Sequence, residues 1–96
     1  MGDVAIQGRI TIENSGEMRT ELANALRTKP ASLSADLSGV SYIDTSGLAT
    51  LVEAARIAHK QGTRLILSGL QGQPRYLFDI THLDRLFDTA GQEAAK

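Results

Sequence analysis

Ninety-six residues make one small domain with room for a single hydrophobic core. The chain is 42% hydrophobic and 22% charged, an ordinary globular balance, and its formal net charge of −1 comes with no basic stripe of the kind nucleic acid requires. Cysteine is absent, which removes disulfides, thiolate chemistry and cysteine-bound metal.

The first residues, Met1-Gly2-Asp3-Val4-Ala5-Ile6, carry no basic region followed by a long apolar stretch, so no signal peptide is legible. Nor does any run reach the ~18 apolar residues of a membrane span. A soluble cytoplasmic protein, without membrane insertion, is the expectation. A strand is expected at Val4 to Ile6, with apolar residues continuing to Ile12 around Gly8. Asn14-Ser15-Gly16-Glu17 then opens a helix, Asn14 and Glu17 having the spacing of a capping box. Met18, Leu22, Ala25 and Leu26 recur at helical spacing until Lys29-Pro30 ends the run.

Leu33 to Leu37 reads as the next strand, with a turn at Ser38-Gly39. An apolar stretch ending at Ile43 then meets Asp44-Thr45-Ser46-Gly47, after which Leu48, Leu51, Val52, Ala55 and Ala58 form one face of a helix stopped by Gln61-Gly62. Arg64 to Ser68 is a strand bounded by Gly69. Pro74 stands near the start of a third helix, expected to turn Tyr76, Leu77 and Ile80 inward. His82 to Phe87 leads into a poorly defined tail, Asp88 to Lys96, whose last residues from Gln92 could start a helix. Strands alternating with helices imply right-handed βαβ crossovers and a largely parallel or mixed sheet.

No catalytic constellation emerges from these elements. His59 sits beside Lys60 near a helix end, where the dipole accounts for it, and His82 lies in a connecting segment. Ser46 lacks the elbow of a serine hydrolase, because Asp44 and not glycine stands two residues before it. Gly69-Leu70-Gln71-Gly72 is too sparse for a phosphate loop, and Asp79, Asp84 and Asp88 are spread too widely for a metal site. What remains is the corner at Asp44 to Gly47. There a strand feeds the N-terminus of a helix, whose unpaired N–H groups and partial positive charge favour an anion. One of Asp44, Thr45 and Ser46 suffices as a cap, with Gly47 closing the turn; the cluster serves equally as a place for a phosphate.

The stretch Asp36-Leu37-Ser38-Gly39-Val40-Ser41-Tyr42-Ile43-Asp44-Thr45-Ser46-Gly47-Leu48 resembles the STAS domain, the module shared by sulfate transporters and anti-sigma factor antagonists. The helix after it, the strand Arg64 to Ser68 and the segment Tyr76 to Leu83 extend the match from residue 4 to about 88. The resemblance implies an α/β fold, a four- or five-stranded mixed sheet flanked by helices. It implies a bacterial switch in the regulation of transcription, with neither turnover nor cofactor.

By the resemblance, Ser46 is the phosphoacceptor of a serine kinase that is also the anti-sigma factor. The unmodified form binds that kinase and the phosphorylated form is released. Thr11, Asp44, Thr45, Ser46, Gly47, Leu48 and Ala49 are the implied partner-binding residues. Thr11 stands where family members commonly carry an acid. The resemblance also fits a cytoplasmic subunit docked through Thr45, Leu48 and Ala49 on the ATPase of a lipid-trafficking ABC transporter. The termini are expected to lack a first strand and a last helix, leaving an edge or apolar face that favours a homodimer.

Overall fold

Along the middle of the chain the buried apolar residues fall at Leu33, Ala35 and Leu37, then at Val40, then at Ile43. A flat strand would keep the interval at two throughout. The two intervals of three show that the strand gains a residue twice without ending. The computed structural model describes residues 2–82 and 88–90 and bears this out. Ser32–Ile43 is one strand, β2, paired in parallel with β1, Gly2–Ile10. Its register slips between Ala5 and Gln7 of β1 and again between Gly8 and Arg9. Opposite these points β2 bulges, each time putting an apolar side chain back on the core face.

The expected turn at Ser38-Gly39 is therefore a bulge inside β2. The Asp36 carboxylate accepts the Ser38 N–H there at 2.9 Å, giving the turn chemistry that the sequence displays without breaking the strand.

Among the described residues three helices connect the strands: α1, Ser15–Arg27; α2, Thr45–Gln61; and α3, Gly72–Thr81. Strand β3, Arg64–Ser68, pairs in parallel with Ser32 to Asp36 of β2, and the three-residue β4, Asp88–Ala90, extends the edge beside β3. The expectation of a four- or five-stranded mixed sheet is corrected. Among the described residues the body of the sheet is three strands with one short addition, and every pair is parallel. Each described connection is a helical crossover, which returns the chain to the same end of the sheet and forces the next strand to run the same way.

The buried side chains of α1, α2, α3 and the three longer strands form one cluster. On β1, Ile6 and Ile10 face it while Asp3, Ala5, Gln7 and Arg9 are exposed, so at this strand the described helices cover one face.

Helix α1 buries Met18, Leu22 and Leu26 at spacings of four. No capping box forms. Asn14 occupies the N-cap, but its side chain turns back, accepting from the Thr11 N–H at 2.8 Å and donating to the Arg9 carbonyl at 2.8 Å. Helix α2 buries Leu48, Leu51, Ala54, Ala55 and Ala58 and stops at Gly62, whose φ of 80° closes the left-handed cap. In α3 the inward residues are Pro74 and Phe78, with Leu77 partly buried against the core as expected, while Tyr76 and Ile80 are 63% and 53% exposed. The helix is rotated from the expected orientation: the large Phe78, 1% exposed, takes the core and carries Tyr76 and Ile80 outward. Asp88 to Ala90, placed in a tail by the sequence, forms β4. The expected helix from Gln92 lies outside the described residues.

Candidate functional site

The sequence Asp-Thr-Ser-Gly turns a strand into a helix because each residue suits its place. Asp44 adopts an extended backbone as the N-cap of α2, and its Oδ1 accepts from the Ser46 N–H at 2.9 Å and the Gly47 N–H at 3.1 Å. Those are two of the donors that the first turn of a helix leaves unpaired. The same oxygen accepts the Ser46 hydroxyl at 2.6 Å. The other oxygen reaches across the fold and accepts the Ile12 N–H at 3.1 Å. Four donors on one carboxylate stabilise its charged form. The Ser46 hydroxyl contributes most to holding the Asp44 pKa below its ordinary value, against a smaller opposing effect of desolvation.

Gly47 is required by space. A Cβ there would lie 2.7 Å from Ile43 Cγ1 and 2.8 Å from Ile10 Cγ2, so the first turn of α2 rests directly on the ends of β1 and β2. One turn on, the Thr50 hydroxyl donates to the Ser46 carbonyl at 3.0 Å, and Thr50 is buried. Thr45 is exposed and Ser46 half-buried, leaving both beside solvent at the mouth of the corner. Thr45, Leu48 and Ala49, with Val52, Glu53 and Arg56, line a shallow depression along the outer side of α2.

The structure thus brings Asp44, Thr45, Ser46, Gly47, Leu48 and Ala49 together at the start of α2, with Thr45 and Ala49 exposed, Asp44 and Ser46 half-buried, and Gly47 and Leu48 buried. Thr11 stands in the β1–α1 turn. Its carbonyl accepts from the Asn14 and Ser15 N–H groups, and its hydroxyl oxygen accepts from Glu13 N–H at 3.3 Å. That turn is tied to the corner through Ile12 and Asp44.

Two residues of this neighbourhood escaped the sequence reading. Ile12 is 76% exposed on the turn that Asp44 holds, an apolar side chain presented to solvent by an anchored backbone. Its signal was an apolar residue beyond the end of β1's alternation. Gln73, from the first turn of α3, bonds both the N–H and the carbonyl of Ile43 at 2.9 Å. A side chain reaching backbone 30 residues away leaves no trace in local spacing.

His59 lies in the last turn of α2, about 20 Å along the axis from Ser46, and so forms no nucleophile–base pair with it. His82 is the left-handed C-cap of α3. Among the described residues no three histidine or acidic side chains gather into a metal-binding set, and no helix is long and apolar enough to cross a membrane.

Comparison with known proteins gives this geometry a context. The STAS domain family profile matches residues 2–95. The anti-sigma-B factor antagonist of Bacillus subtilis (strain 168) is 34% identical over 89 residues, covering 93% of this chain and 81% of that protein. The anti-sigma factor antagonist SpoIIAA in its unphosphorylated form shares the fold at a TM-score of 0.75 and 19% identity, over 96% of this chain and 82% of its own. The STAS domain of a SulP transporter from Vibrio cholerae does so at 0.69 and 20% identity, over 88% of this chain and 66% of its own.

Proposed function

The chain belongs to the STAS domain family, and from that premise we propose that it is an anti-sigma antagonist-type regulatory module whose switch is Ser46. The observation that carries the reading is the bond from the Ser46 hydroxyl to the Asp44 carboxylate, at the half-exposed start of α2. The 34% identity to the Bacillus subtilis antagonist supports it. In its unmodified state the chain docks an anti-sigma factor serine kinase over Thr45, Ser46 and Ala49, flanked by Ile12 and Thr11. The kinase transfers the terminal phosphoryl group of ATP to Ser46 Oγ. An O–P bond forms, the bond to the departing ADP breaks, and the hydroxyl proton leaves.

That exchange removes the donor that Asp44 Oδ1 holds and sets a phosphate beside an ionised carboxylate. The phosphate brings nearly two negative charges and three acceptor oxygens. The α2 N–H groups offset part of that charge within the fold. A partner surface fitted to a neutral hydroxyl has no such compensation, and like-charge juxtaposition across an interface costs several kcal/mol. Release follows from a local change. Incubation with the cognate kinase and ATP is expected to place one phosphate, mapping to Ser46, and Ser46→Asp to weaken kinase binding. Phosphate on another residue, or a Ser46→Asp chain that binds as tightly as the parent, rejects the reading.

A second reading keeps the surface and changes the partner. The depression lined by Thr45, Leu48, Ala49 and Val52 is a docking groove that needs no modification, and it suits a constitutive subunit of a lipid-trafficking ABC transporter. Stable copurification with a transporter ATPase, lost on Thr45→Trp, would select it.

A further inference from the structure

Strand β2 loses its neighbour on one side halfway along. It pairs with β3 only from Ser32 to Asp36, and from Gly39 to Ile43 it pairs with β1 alone. The backbone groups of this outer half that point away from β1 need other partners. Two amides from the beginning of α3 supply partners at Ser38, where this half begins, and at Ile43, where it ends. Gln71 Nε2 donates to the Ser38 carbonyl at 3.0 Å. Gln73 does more: its Oε1 accepts the Ile43 N–H at 2.9 Å and its Nε2 donates to the Ile43 carbonyl at 2.9 Å. One side chain replaces the rung that a neighbouring strand would have formed.

Ile43 is the last residue of β2, and the next residue is the cap. The Asp44 N–H points to the opposite side and donates to the Ile10 carbonyl at 3.0 Å. The chain entering the corner is therefore gripped from both sides, by β1 at Asp44 and by Gln73 at Ile43. The geometry points to Gln73 as a positioning residue of the Ser46 corner: by fixing Ile43 it sets where Asp44 holds the start of α2, and so where Ser46 presents its hydroxyl. Gln73 is half-buried and acts through Ile43. Its role in phosphoryl transfer rests on the reading of Ser46 as the phosphoacceptor.

Three variants of the full chain test this. Gln73→Leu removes both bonds, Gln73→Glu keeps the acceptor for the Ile43 N–H, and Gln71→Ala removes the other amide anchor of the same helix. Amide hydrogen exchange followed by NMR compares Ser46 and Gly47 with Leu51, which lies deeper in α2. Gln73→Leu is expected to speed exchange at Ser46 and Gly47 relative to Leu51, with a smaller effect from Gln73→Glu and none from Gln71→Ala. With the kinase and ATP, Gln73→Leu is expected to lower kcat for Ser46 phosphorylation about tenfold at little change in KM, a loss within the range of a displaced reacting group.

Exchange at Ser46 and Gly47 that moves only in step with Leu51 overturns the positioning role, as does an equal response to Gln71→Ala. An unphosphorylated parent chain overturns the functional reading alone, because the exchange comparison stands without the kinase.

Discussion

Asp44 reaches 32 residues back along the chain to hold the Ile12 N–H, 3.1 Å from its Oδ2, while its Oδ1 holds the start of α2. One carboxylate thus fixes the helix that carries Ser46 and the turn that carries an exposed isoleucine. The bulges of β2 and the paired ends of β1 and β2 bring these two segments together.

A carboxylate held ionised makes stability depend on pH with a definite sign. The folded Asp44 has a lowered pKa, so the unfolded chain binds the proton more readily and stability rises with pH in the acid range. The contribution is complete above the ordinary carboxylate pKa of 3.8 and is lost as pH falls through the lower folded value. Asp36, lowered chiefly by its bond from the Ser38 N–H, acts in the same direction. Asp44→Asn, which still caps a helix, is expected to flatten part of the rise of stability with pH in the acid range at and below the ordinary carboxylate pKa of 3.8 and to leave the share due to Asp36. Thermal melts across that range measure it; an unaltered slope would show that Asp44 contributes nothing to linkage.

Ile12 is expected to serve the partner and not the fold. At 76% exposure it contributes little burial, so Ile12→Ser should leave the melting temperature nearly unchanged and weaken partner binding by about 1 to 2 kcal/mol if the side chain is buried on docking. Titration calorimetry against the kinase proposed as its partner, beside a melting curve of each form, separates the two effects.

Glycine-to-alanine changes at Gly47 and Gly16 should move stability in opposite directions. A methyl at Gly47 meets the buried Ile43 and Ile10 at under 3 Å, an overpacking expected to cost about 1–3 kcal/mol. At Gly16, in the first turn of α1, nothing lies within 4 Å of the added carbon, and alanine should gain about 0.4–1 kcal/mol from the less flexible unfolded chain. Urea denaturation of the two variants gives the signs.

The ion pair between Arg19 of α1 and Glu53 of α2, at 3.2 Å, looks like a clamp between helices but has half-exposed side chains at both ends. Water and salt screen such a pair, and a double-mutant cycle should return about 0.2–1 kcal/mol, falling in high salt. A coupling well above that range would show that α1 and α2 depend on it for their packing.

Helix α2, strand β3 and the corner before α2 were legible in the sequence. Their information is local: apolar residues at helical spacing in Leu48, Leu51, Ala55 and Ala58, a glycine stop at Gly62, and an acid before hydroxyls at the cap. The identity of the family came from the same stretch. Other features depended on what packs against them. Ser38-Gly39 has turn chemistry, and only the pairing of β2 with β1 made it a bulge within a strand. Tyr76 and Phe78 are comparable apolar candidates two residues apart, and the rotation that buries Phe78 was set by the sheet beneath α3. Asn14 had the spacing of a cap, but its side chain found the Thr11 N–H and the Arg9 carbonyl. Neither the direction of the strands nor the grip of Gln73 on Ile43 could be read locally, because crossover connections and bonds across 30 residues join segments that the chain keeps far apart. The sequence by itself determined which residues form the Asp44 to Gly47 corner, since capping chemistry is local. The tertiary structure alone decided what holds that corner in place and which exposed side chain stands beside it.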